Sequence, residues 1–110
     1  MAVSAEFRDY VLDQLRNVAP VTAKAMFGGV GIYSRGTFFA LIAQDVLYFK
    51  VDATTRKTYE DRGSRAFNPF GKGKMNYYEL PEDILEDADE LREWMRAALA
   101  VAKKKEKKEA

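Results

Sequence analysis

Two sets of side chains in this 110-residue sequence could do chemistry. The first is Lys24, Lys50, Tyr33 and Tyr48, set among apolar residues; they could act as acids or bases only if burial or close neighbours moved their pKa values strongly. The sequence contains no histidine and no cysteine. That removes the commonest general base, the commonest zinc ligand, thiolate metal sites and any disulfide scaffold. Asp87, Asp89 and Glu90 cluster at a predicted helix start, where carboxylates cap free N–H groups before they act as acids. No catalytic residue, metal-ligand set or cofactor is therefore expected.

Glycine spacing gives no phosphate loop. Gly28, Gly29 and Gly31 lie close together, but a dinucleotide fingerprint counted from Gly29 and Gly31 needs a third glycine where Ser34 stands, and a helix where a strand follows. Gly71-Lys72 lacks the Walker glycine five residues earlier, at Ala66, and is followed by Gly73. Glycine near residue 29 is better suited to a bulge, a bend or the close approach of another backbone.

The second set is basic and aromatic: Lys50, Arg56, Lys57, Arg62, Arg65, Lys72 and Lys74, with Phe67 and Phe70. A net charge of +1 conceals segregation, because residues 50–76 carry seven basic groups against three acidic, and residues 77–102 two against eight. The tail 103–110 adds five lysines and two glutamates. Such groups fit an acidic protein partner, or a phosphate backbone held in a salt-dependent and sequence-blind way. No recognition helix or RNP-like signature supports base reading. Solvated helix faces also gather like charges, and Phe67 and Phe70 could simply anchor their loop.

These residues must be positioned by a sheet. From Lys24 to Val51 runs of β-branched and aromatic residues alternate with turn signals. Ser34-Arg35-Gly36 suits a three-residue hairpin loop with glycine left-handed, and Gln44-Asp45 a two-residue one. Both faces of Phe38–Ile42 are apolar, which predicts a central strand covered twice, or once with a partner on the other side. Phe38, Ala40 and Ile42 then share a face that a second copy of the chain would cover, giving a homodimer.

Helices are predicted around the strands. Ser4 caps a helix over 5–17 with Phe7, Val11, Leu15 and Val18 in one stripe, ended by a left-handed Asn17 and by Pro20. Asp52 caps a polar helix over 53–62 that Gly63 terminates. Residues 63–76 read as an irregular basic loop, residues 75–80 as a strand, and Pro81 as the start of a helical turn carrying Ile84 and Leu85. Leu91, Trp94, Met95, Ala98, Leu99 and Ala102 mark the core face of the last helix, after which the lysine run is expected to fray. The result is an α+β class with an antiparallel sheet of about five strands in the order α-β-β-β-β-α-β-α. Residues 1–102 make one domain and 103–110 a flexible tail. No signal peptide or membrane span is read, so a cytoplasmic location is expected.

Several ordered blocks resemble one family. Met26-Phe27-Gly28-Gly29-Val30-Gly31-Ile32-Tyr33, Phe39-Ala40-Leu41-Ile42, Leu47-Tyr48-Phe49-Lys50-Val51-Asp52, Pro69-Phe70, Met75-Asn76-Tyr77-Tyr78-Glu79-Leu80-Pro81 and the helix with Leu91 and Trp94 are similar to the amino-terminal domain of the TfoX/Sxy competence regulators. The resemblance runs from about residue 5 to 102. It implies an antiparallel sheet with helices packed around it, like the YjbR-like and secretion-chaperone groups. It also implies a bacterial, stand-alone regulatory domain without catalytic residues, whose full-length relatives help a cyclic-AMP-dependent activator control natural transformation genes. The expected partner is a protein, such as a transcription factor or an RNA polymerase component. Weak nucleic-acid binding through residues 50–76 and the tail is the alternative.

Overall fold

The computed structural model describes residues 4–26, 28–68 and 76–109, with side chains as far as residue 105. Phe27 and residues 69–75, with the predicted contacts Phe70, Lys72 and Lys74, lie outside the described residues. The order of elements is α1 (Ala5–Arg16), β1 (Thr22–Met26), β2 (Gly29–Ser34), β3 (Thr37–Ala43), β4 (Val46–Lys50), α2 (Arg56–Asp61), β5 (Tyr77–Glu79), α3 (Glu82–Leu85) and α4 (Ala88–Glu109). The strands form one antiparallel sheet in sequence order, β1-β2-β3-β4-β5. This is the expected α+β architecture, with β3 at its centre.

Local chemistry sets the helix ends. The Ser4 hydroxyl accepts the Phe7 N–H at 3.2 Å, and Glu6 lies in the first turn of α1. Asn17 remains right-handed (φ −67°) instead of turning left-handed; Val18 and Ala19 donate back to the Leu15 carbonyl before Pro20 ends the run. Before α2, Asp52 caps a turn over 53–55, so the helix proper begins at Arg56 and not at Ala53. Its far end closes on Gly63 (φ +76°), with Gly63 donating to Glu60 and Ser64 to Tyr59, a Schellman ending. Asp87 accepts the N–H groups of Asp89 and Glu90 at the start of α4. That helix carries on through the lysine run to Glu109 instead of fraying after Ala102, and its lysines stand where the helix dipole favours cations.

One register shift divides the sheet into two unlike faces. Ile32 pairs with Ala40 and Tyr33 with Phe38, so β3 holds one more residue, Phe39, than β2 over this stretch. The bulge sends Phe39, Ala40 and Ile42 to one face and Phe38 to the other. Phe39, Ala40 and Ile42 have no exposed surface and join Ile32, Leu47, Phe49 and Tyr78 under α1, α3 and α4. The expectation that Phe38, Ala40 and Ile42 share an uncovered face therefore fails: Ala40 and Ile42 are covered by the chain's own helices. Phe39 and Phe49 meet edge to face at 5.4 Å in this core. From the helix layer, Val11, Leu12, Leu15, Ile84, Leu85, Leu91, Met95, Ala98 and Ala102 complete it. The side-chain hydrogen bonds Tyr10 to Glu86 and Gln14 to the Leu85 carbonyl tie α1 to the α3 segment.

One hairpin is tighter than the sequence predicts, and the other has the predicted length. Strand β2 runs through Ser34, so the β2–β3 turn is the two residues Arg35 (φ 50°) and Gly36 (φ 84°), not three. Gln44 (φ 52°) and Asp45 (φ 59°) form the β3–β4 turn without glycine, matching the twist of the flanking strands. Asp45 Oδ1 accepts the Ser4 N–H at 2.7 Å, which fixes the start of α1 to this turn. The segment 63–68 is also more regular than predicted. Phe67 donates to the Tyr77 carbonyl, Glu79 donates to the Arg65 carbonyl, and Ala66 bridges Tyr78, so residues 65–67 line the outside of β5.

Gly29 shows why glycine is needed at the start of β2. A Cβ there would stand 2.5 Å from the Ile42 carbonyl oxygen, a backbone atom that cannot move alone. Gly29→Ala is expected to cost about 1–3 kcal/mol of unfolding free energy, and Phe49→Ala about 3–5 kcal/mol, both measured by urea denaturation.

Candidate functional site

The face of the sheet away from the helices carries the candidate site. Its side chains follow from pairing: Tyr33 opposite Phe38, Leu41 opposite Tyr48, Tyr48 opposite Glu79, and Lys50 opposite Tyr77. None of these joins the core cluster. Tyr33 and Phe38 rings lie 5.2 Å apart, Phe38 and Tyr77 5.9 Å, and Tyr48 and Phe67 4.9 Å. Tyr33, Phe38, Leu41, Tyr48 and Phe67 are half-buried. The face is thus a row of aromatic surfaces, partly open except at the buried Tyr77.

Lysine and arginine edge this row. Lys50 donates from Nζ to the Tyr77 hydroxyl at 3.2 Å and lies 4.9 Å from that ring's centre. Burial, helped by nearby Tyr33, pushes the Tyr77 phenol up to about 12. Burial also raises Tyr48; Glu79 adds to the rise and Arg65 opposes it. Both phenols are neutral donors and acceptors at neutral pH, suited to holding a surface together and to hydrogen bonding. Lys24, on the same face of β1, is exposed.

The structure separates the predicted contact residues. Lys50, Arg65 and Phe67 come together at the β4–β5 side. Arg56 and Lys57 lie on α2 and pair with Glu60 at 3.8 Å and Asp61 at 3.3 Å, and Arg62 pairs with Asp83. These exposed pairs add little stability, yet they place an anion beside each cation and weaken its pull on an outside phosphate. Sequence reading missed Leu41 as a surface residue, and it grouped Phe38 on one uncovered face with Ala40 and Ile42, which the structure buries. Alternation along β4 pointed to Tyr48 beside Lys50, but the bulge that frees Phe38 left no mark in the residue types.

A depression of about 460 Å³ lies where β4 ends, between Lys50, Val51, Thr54, Asn76, Val101 and Lys105. Its rim holds the Asp52–Lys104 pair, 3.5 Å apart. Asp52 Oδ1 accepts from the Thr54 hydroxyl at 2.6 Å and from the N–H groups of Thr54 and Thr55. The Thr54 hydroxyl is the largest influence, outweighing burial, and with the backbone donors and Lys104 it holds the carboxyl down to about 2. Asp52 is thereby committed as a cap.

A two-layer α+β domain with one helix-covered face and one aromatic, basic face is what fold and site define. The TfoX N-terminal domain matches residues 13–102, and the chain belongs to that family. No curated protein matches the chain. Among the described residues no helix is long and apolar enough to cross a membrane.

The Asp52 cap predicts a pH signature. A carboxyl whose folded pKa lies below its unfolded value of about 3.9 stabilises the fold above that pH, and the contribution is lost as pH falls through the folded value. Wild type should therefore exceed Asp52→Ala in stability by about 1 kcal/mol at pH 6, with the gap narrowing between about pH 4 and pH 2. Thermal melts across that range provide the measurement.

Proposed function

We propose that this TfoX-family domain is a non-catalytic regulatory module that docks a protein partner of the transcription machinery on its helix-free sheet face. The observation that carries the reading is the row of half-buried aromatic side chains, Tyr33, Phe38, Tyr48 and Phe67, flanked by Lys24, Lys50 and Arg65. Aromatic side chains give large contact area at low entropic cost and are enriched at protein interfaces. The surrounding cations favour a partner with acidic groups around an apolar anchor. Control of competence-type genes is the role that family membership suggests for such a module. Direct nucleic-acid binding is the lesser reading, because Arg56, Lys57 and Arg62 already have carboxylate neighbours.

A photoreactive phenylalanine analogue at position 48, compared with one at exposed position 13 on α1, tests this in native cells. The expected outcome is a discrete protein adduct from position 48 that survives nuclease and is absent from position 13. Adducts to nucleic acid alone, or equal adducts from both positions, would contradict it.

A further inference from the structure

The two edges of the sheet are not alike. Residues 65–67 line β5, so that edge is occupied. Among the described residues the other edge, β1, pairs only with β2, and Thr22, Ala23, Lys24 and Ala25 are all exposed. Neither a proline nor a bulge interrupts it. An edge of this kind presents unpaired N–H and C=O groups to any extended chain.

The side chains of β1 state what that chain would be. Cross-strand pairing places Thr22, Lys24 and Met26 on the aromatic face, opposite Tyr33, Gly31 and Gly29. Ala23 and Ala25 point to the helix side, opposite Ile32 and Val30. Ile32 and Val30 are buried, whereas Ala23 and Ala25 are open to solvent. Two small exposed residues beside a buried pair form a shelf that bulky apolar side chains of an added strand would cover. On the opposite side, the exposed Lys24 ammonium stands where an added strand's neighbouring residue would be best as an acid.

A second copy does not meet these requirements. Antiparallel pairing of β1 with β1 about its centre sets Lys24 against Lys24, and like charges directly opposite are unfavourable. It also offers only alanines to the shelf.

We infer that β1 is a strand-addition site for an extended segment of a partner protein in which acidic residues alternate with large apolar ones. The inference rests on the reading of the chain as a protein-interaction module and names one docking mode for it. The added strand would extend the aromatic face past Lys24, so both surfaces could engage the same partner.

Capped peptides of alternating valine and glutamate, or of alternating valine and lysine, serve as probes against the whole isotope-labelled chain. The glutamate peptide is expected to shift the amide signals of residues 22–26, to slow their hydrogen exchange, and to bind at least about threefold tighter than the lysine peptide. Lys24→Glu, at an exposed position that leaves folding intact, should reverse that order. Equal binding of both peptides, shifts centred elsewhere, or no shift at millimolar peptide would overturn the site. Failure of the peptides with adducts from position 48 retained would remove the strand-addition site and leave the module reading in place.

Discussion

The extra residue in β3 is the constraint on which the rest of this molecule depends. With regular alternation, Phe38, Ala40 and Ile42 would point the same way. The shift between Ile32 and Tyr33 places Ala40 and Ile42 with Phe39 in the core and leaves Phe38 alone on the far side. Phe39 thereby meets Phe49 beneath the helices, while Phe38 meets Tyr33 and Tyr77. One inserted residue thus supplies an aromatic to both faces of the central strand.

Covering the core takes the main apolar stripes of the helices. The stripes of α1 and α4 and the Ile84–Leu85 turn lie on the same face of the sheet, and the aromatic row is left on the opposite side. Charge follows the same division. Glu60, Asp61 and Asp83 neutralise the cations of the α2 region, and Lys24, Lys50 and Arg65 stand around the aromatic row. Arg56, Lys57 and Arg62 are therefore less available to an outside anion than their number suggests.

Much of the fold was legible because local chemistry and long-range packing agree. The caps at Ser4, Asp52 and Asp87, the Schellman glycine at 63 and the stripe from Leu91 to Ala102 are each written in residue type and spacing. The bulge was not legible, because Phe38 and Phe39 are both apolar and either could face the core. The glycine-free turn at Gln44-Asp45 is set by strand twist, and its length was read correctly without its backbone conformation. The pairing of residues 65–67 with β5 is a tertiary contact with no periodic signal. The i,i+4 spacing of Arg56 with Glu60 and of Lys57 with Asp61 was visible in the sequence and is the clue that these cations are partnered.

The central claim is that the bulge turns Phe38 away from the core while Ala40 stays inside it. Because the natural chain has no cysteine, single-cysteine variants Phe38→Cys and Ala40→Cys test it with a thiol reagent under native conditions. Position 38 should label readily in the folded protein, and position 40 only as fast as the whole domain unfolds. Equal labelling of the two, or faster labelling at 40, would contradict the two-faced sheet described above.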